Sequence, residues 1–173
     1  MNLIVTCARH FEGETREELV NILEELGDSS AQITITGLSG VLTAQTKVNP
    51  AELIKKIHEK LQDEPWSIRY MLRVIPIFQA VPTDTESITK AALEQIQKIK
   101  PTETYRITIE KRNSDISSRE LISQIAAKIP NKVSLENYDW IILVEIVGKI
   151  SGISVLKESE ILRIEKAKRE SVE

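Results

Sequence analysis

Few side chains in this 173-residue sequence stand in a pattern that could make or break bonds. Cys7 is the only cysteine, which excludes an internal disulfide and a metal site built on a cysteine cluster. It sits in Leu3-Ile-Val-Thr-Cys-Ala, an apolar segment in which a thiol behaves as a small core group rather than a nucleophile. His10 and His58 fall on separate predicted elements, with no carboxylates at ligand spacing beside them, and read as surface or packing residues. Glu14, Glu17, Glu24 and Glu25 read as one solvated helix face. The sequence has neither a Gly-x-Gly-x-x-Gly fingerprint nor a Gly-Lys-Ser/Thr phosphate loop. Gly37-x-x-Gly40 has the spacing of a backbone-clamping loop, but a hairpin turn explains it more simply. These residues predict no enzyme activity, no metal and no cofactor.

What remains is charge. The net charge is −3 and the pI about 5.6, but the distribution is uneven. Residues 1–82 carry 8 Lys and Arg against 11 Asp and Glu, whereas residues 83–173 carry 15 of each. Between residues 98 and 132, 8 basic residues face 4 acidic ones. A local excess of that kind suits phosphate, because each phosphate neutralised releases condensed counterions. Charge alone does not separate such a face from a mixed, solvated surface.

The elements that would position these groups follow from periodicity. Residues 3–8 read as a buried strand. A helix over about 15–26 is predicted from the Thr15/Glu18 capping box, with Leu19, Ile22, Leu23 and Leu26 on one face and Gly27 as its stop. Gln32 to Thr36 and Val41 to Thr46 form a hairpin through Gly37-Leu-Ser-Gly40. Asn49-Pro50-Ala51-Glu52 opens a helix that buries Leu53, Ile54, Ile57 and Leu61, and a strand follows over about residues 69–78. The order strand, helix, strand, strand, helix, strand is that of a ferredoxin-like unit.

Pro82-Thr83-Asp84 then starts a helix with Ile88, Ala92, Ile96 and Ile99 inward. Tyr105, Ile107 and Ile109 alternate with Arg106, Thr108 and Glu110 on a strand. Ser117 and Glu120 open a helix with Leu121, Ile122, Ile125 and Ile129 inward, closed by Pro130. Lys132 to Leu135, Asp139 to Val147 and Ile150 to Leu156 are further strands. The tail from Glu158 is charged and helical, anchored by Ile161, Leu162 and Ile164. The fold class is α+β. Apolar runs such as Trp140 to Val144 are too short to span a membrane, and the N-terminus lacks the features of a signal peptide. A cytoplasmic protein is expected.

The segment from Tyr105 to Lys157 resembles the C-terminal half of a THUMP domain: strand, basic turn, helix, a Lys132-Val-Ser-Leu-Glu-Asn turn and two closing strands. Arg69-Tyr-Met-Leu-Arg73-Val-Ile-Pro76-Ile is similar to the strand that links a ferredoxin-like lobe to the THUMP lobe in this family. Ser134 stands where that turn usually has Asp, and Tyr138 where it usually has Pro. The resemblance implies an N-terminal ferredoxin-like domain over 1–82, a THUMP RNA-binding domain over 83–158 and a C-terminal helix over 159–173.

It further implies binding of the tRNA acceptor end, and no DNA or membrane partner. Many THUMP proteins carry a catalytic domain on the same chain. Read as a stand-alone chain, this sequence is most similar to those that assist a separate RNA acetyltransferase in making acetylcytidine. Subunits serving thiolation or methylation, and a ferredoxin-like protein-interaction module, are the alternatives. Arg106, Lys111, Arg112, Asn113 and Arg119 are the expected RNA contacts, widened by Arg73 and Lys132. Arg112 is expected on the surface, replaceable by Glu without harm to folding.

Overall fold

β1 (Leu3–Cys7) is buried along its whole length, as an apolar run inside a sheet must be. Around it, the computed structural model, which describes residues 1–172, builds the first of two units. That unit comprises Met1–Pro76 and the segment from Ser159. Its elements run α1 (Glu12–Glu25), β2 (Gln32–Ile35), β3 (Val41–Gln45), α2 (Pro50–Asp63) and β4 (Met71–Pro76). Four of the sheet's five strands run in the order β2-β3-β1-β4, with every neighbouring pair antiparallel. Leu19 and Leu23 of α1 and Leu53 and Ile57 of α2 pack on Leu3, Val5 and Val74. Each such side chain withdrawn from water contributes about 1.5–3 kcal/mol.

The start of α1 differs from expectation. The helix begins at Glu12, and Thr15 is a buried residue of its first turn whose hydroxyl donates to the Phe11 carbonyl at 2.7 Å. The Glu18 carboxylate accepts the backbone N–H groups of Arg69, Tyr70 and Met71 instead of closing a capping box. Those N–H groups lie where the chain enters β4. α2 starts as its sequence predicts, with the Asn49 side chain accepting from the Ala51 N–H at 2.8 Å.

The expected strand over 69–78 is two strands. β4 ends at Pro76, which lacks the N–H a ladder needs, and after a break at Ile77 and Phe78 the chain enters β5 (Gln79–Pro82). β5 pairs with a strand of the second unit, Ile77–Glu158. The tail also departs from a plain helix. A 3-10 turn at Glu158–Glu160 leads to a two-residue strand (Leu162–Arg163) paired with β4, and only then to a final helix (Ile164–Glu170). Ile161, Leu162 and Ile164 are buried as expected, joined by Ala167. The division therefore falls at Pro76/Ile77, whereas the sequence places it at 82/83, and strand pairing ties the tail to the first unit. Glu173, the last residue of the expected helix, lies outside the described residues.

Within the second unit come α3 (Thr85–Gln95), β6 (Tyr105–Arg112), α4 (Ser118–Ala126), β7 (Trp140–Val147) and β8 (Ile150–Leu156), in a sheet ordered β5-β8-β7-β6. β6 and β7 are parallel, paired from Tyr105↔Trp140 to Arg112↔Val147. α3 and α4 cover the face that carries Tyr105, Ile107, Ile109, Ile142, Val144 and Val155. Leu121 and Ile125 are buried, but Ile122 lies at the edge of the short helix's stripe and is exposed. Lys132 to Leu135 is not a strand: Val133 makes a single bridge to Tyr105 at the sheet's edge. Among the described residues no helix is long and apolar enough to cross a membrane.

Asp28 latches the loops of the first unit. Its carboxylate accepts the Thr46 hydroxyl at 2.6 Å, the Lys47 N–H at 3.0 Å, and the N–H and hydroxyl of Ser30. The Thr46 bond above all, with the backbone donors, holds its pKa down to about 2 from an ordinary 3.8. A depressed carboxylate stabilises the fold above its unfolded pKa, and that contribution is lost as pH falls through the folded one. Asp28→Asn is expected to lower the urea midpoint at neutral pH and to flatten its decline between about pH 4 and 2; parallel acid profiles for the two proteins would refute this.

Candidate nucleic-acid interface

The corner between β6 and α4 is built by local chemistry. β6 ends at Arg112, and Asn113 takes a left-handed conformation, φ +52°, that asparagine tolerates better than most residues. Ser117 then caps α4, its hydroxyl accepting the Glu120 N–H at 3.2 Å. Lys111 is exposed, and its ammonium donates to the Ile116 carbonyl at 3.0 Å, tying the strand end to the loop. Arg119 is exposed in the first turn of α4, where the helix N-terminus also favours an anion. Lys111, Asn113 and Arg119 therefore stand within one turn-and-helix corner, with Asp115 and Glu120 exposed in the same segment.

Arg112 has another task. Its guanidinium donates to the Glu145 carboxylate at 2.6 Å; Arg112 is 18% exposed and Glu145 wholly buried. The expectation of a surface arginine is corrected here: strand alternation puts Arg112 on the face of Glu145, whose burial no local sequence pattern signals.

Arg106 and Lys132 lie at the opposite end of β6. Arg106 donates to the Leu135 carbonyl at 3.1 Å and stacks over the Tyr138 ring, 5.8 Å from its centroid. Lys132 is exposed, and its carbonyl accepts the Tyr105 N–H. Six residues at about 3.3 Å each separate Arg106 from Arg112 by roughly 20 Å. Arg73 belongs to the first unit, half-buried on β4 and opposite Arg163. The seven candidate residues thus form two groups at the two ends of β6, and one residue on the other unit.

Other side chains come forward only in three dimensions. Lys98 sits 4.0 Å over the Phe78 ring and donates to the Val155 carbonyl, and Lys157 sits 5.1 Å over Trp140. In the first unit the rings of Phe11 and Tyr70 meet with centroids 5.3 Å apart. An aromatic one or two residues from an arginine, as in Arg9-His10-Phe11 and Arg69-Tyr70, is the sequence signal for each ring singly; their meeting depends on the β1–β4 register. Burial, chiefly, pushes the Cys7 thiol above its ordinary pKa, which keeps it protonated at neutral pH.

Residues 82–156 match the THUMP domain family. The matched stretch runs from the last residue of β5 to the last of β8. THUMP domain-containing protein 1 of Mus musculus and that of Homo sapiens are each 27% identical over 175 residues, covering 88% of this chain and 49% of theirs. The chain thus spans about half the length of the curated relatives it matches. Among solved structures, PH1313 from Pyrococcus horikoshii aligns with a TM-score of 0.62 at 18% identity, over 91% of this chain and 55% of that one. TrmN from Thermus thermophilus aligns with a TM-score of 0.58 at 12% identity, over 90% and 45%. Residues 82–156 are thus similar to THUMP domains, and the mixed α+β fold is one found in these solved structures.

Replacing Arg112 separates the two kinds of arginine. Arg112→Glu would set a second carboxylate against buried Glu145, and a broken buried pair typically costs about 3–5 kcal/mol. Arg119→Glu, at an exposed position, should stay within roughly 1 kcal/mol of the parent. Urea denaturation of both variants checks this, and an R112E protein as stable as the parent would count against the buried pair.

Proposed function

We propose that this chain is a non-catalytic RNA-binding adaptor, which holds tRNA by its acceptor end and presents it to a separate modifying enzyme. The observation that carries the reading is the THUMP match over 82–156. The β6–α4 corner supports it: Lys111 and Arg119 supply cations, Asn113 supplies an amide, and the start of α4 adds oriented backbone dipoles. Contacts of this type go to phosphates and fix register without reading bases, which suits a protein that accepts many tRNAs. The N-terminal β-α-β-β-α-β unit, in the element order of ferredoxin-like folds, is the companion lobe in this reading. Cytidine acetylation by a partner acetyltransferase in the cytoplasm is the modification proposed, with thiolation or methylation as the alternatives within the same class.

A second reading, a protein-interaction module, draws on the acidic balance of residues 1–82, 8 basic against 11 acidic. One titration discriminates. On the adaptor reading, mature tRNA binds with a marked salt dependence, and the same tRNA stripped of its single-stranded 3′ end binds more weakly. The double variant Lys111→Glu/Arg119→Glu should weaken binding about ten-fold or more and lower the salt slope by about 2. Unchanged affinity in that variant would remove the corner from the interface, and no binding by the parent at low salt would favour the protein-interaction module.

A further inference from the structure

The first unit carries a second arrangement suited to RNA, one the candidate residues above do not include. Antiparallel pairing of Cys7 with Met71 brings the loop after β1 (residues 8–11) beside the loop before β4 (residues 64–70). Phe11 comes from the first loop and Tyr70 from the second, with ring centroids 5.3 Å apart and planes inclined by 32°. Phe11 nevertheless keeps 43% of its surface exposed, so the pair is not a buried packing contact. Arg9 and His10 are exposed on one loop, Arg69 and the 65%-exposed Trp66 on the other, and the exposed Glu64, where α2 ends, is the one carboxylate in either loop.

Both rings stand on backbone that is held in place. The Phe11 carbonyl accepts the hydroxyl and the N–H of Thr15, and the neighbouring His10 takes a left-handed conformation, φ +77°. Glu18 holds Tyr70 and its two neighbours through their N–H groups. Two of the α1 carboxylates adjoining these loops are engaged with backbone, Glu18 as described and Glu12 with the Gly40 N–H at 2.8 Å, while Glu14 of the same first turn is exposed. An exposed Phe11 ring against a half-buried Tyr70 on fixed backbone, with Arg9 and Arg69 exposed in the same loops and Arg69 donating to the Trp66 carbonyl, is the chemistry that stacks an unpaired base and neutralises its phosphate.

We propose that the Phe11–Tyr70 pair, flanked by Arg9 and Arg69, is a stacking site for an unpaired nucleotide of RNA. The proposal rests on the RNA-binding reading above and adds a site in the first unit to it. A stacked base is sequence-tolerant, because every base has a π face, so the site would select single-stranded over paired RNA rather than one sequence over another.

The test measures binding of the full chain to an RNA hairpin with a short single-stranded extension and to the same hairpin with a blunt end. The parent should prefer the extended hairpin. Phe11→Ala and Phe11→Leu should each lower affinity for the extended form about ten-fold while leaving the blunt form unchanged, and Phe11→Trp should retain the preference. Leucine keeps the apolar bulk without a π face, so equal losses in Ala and Leu assign the effect to stacking. Binding of both hairpins by the parent with no change in Phe11→Ala overturns this site and leaves the RNA reading standing. Failure of the parent to bind either hairpin overturns both. An equal loss for both hairpins, or intact RNA binding with loss of a co-purifying protein, overturns the stacking site in favour of a structural role or a protein-docking face.

Discussion

Glu145 lies in the middle of β7, where six consecutive residues from Ile141 to Ile146 are buried. An ionised carboxylate in such a place is tolerated only with a counter-charge at hydrogen-bonding distance. Arg112 supplies it from the neighbouring strand, reaching diagonally, since Glu145 is directly opposite Glu110 and Arg112 is opposite Val147. The pair therefore requires β6 to continue in parallel register all the way to Arg112. Once the strand is held to that point, the rest of the corner follows. Asn113 must turn the chain there, Lys111 falls one residue before the pair on the other face, and the Ser117 cap sets Arg119 in the first turn of α4. A buried ion pair thus decides where the exposed cations stand.

That constraint changes the meaning of the basic window between residues 98 and 132. Counted along the chain it is a single excess of positive charge, 8 against 4. In space Arg112 is consumed by Glu145, and the candidate contacts divide between the two ends of β6, roughly 20 Å apart: Lys111 and Arg119 at one, Arg106 and Lys132 at the other. At physiological ionic strength the Debye length is about 8 Å, so the two ends do not reinforce each other as one field. Each must act on the phosphates it directly meets.

Elements with strong local signals were legible. The Asn49-Pro50 start of α2, the Ser117 cap, the hairpin around Gly37 and Gly40, and the inward set Tyr105, Ile107 and Ile109 all follow from period and capping chemistry. The misreadings share a cause, which is that long-range pairing decides them. Thr15 and Glu18 have the spacing of a capping box, yet Glu18 serves donors 51 to 53 residues away. Gln79–Pro82 and Leu162–Arg163 are too short to announce themselves and exist as strands because a partner edge is present. For the candidate site, sequence alternation placed Arg112 on the face of Arg106, but nothing local showed that this position meets a buried glutamate. The Phe11–Tyr70 contact likewise joins loops 59 residues apart (70 minus 11), a juxtaposition created by the β1–β4 register.

A nucleic-acid binder with a net charge of −3 needs an account of how it binds at all. Strongly basic proteins hold any polyphosphate, because the counterion-release term is blind to sequence and to strandedness. A chain with little excess charge forgoes most of that term, so on the proposed reading its affinity must come from a few placed groups. Two kinds are available here: cations at the β6–α4 corner, which fix the backbone, and the aromatic pair of the first unit, which responds to unpaired bases. The acidic balance of residues 1–82 then works in favour of selectivity. It repels duplex generally, whereas the two loops around Phe11 and Tyr70 carry Arg9 and Arg69 against the single carboxylate of Glu64. Weak general attraction combined with local stacking is how a protein of this charge can prefer RNA with an exposed single strand over the much larger excess of paired RNA around it.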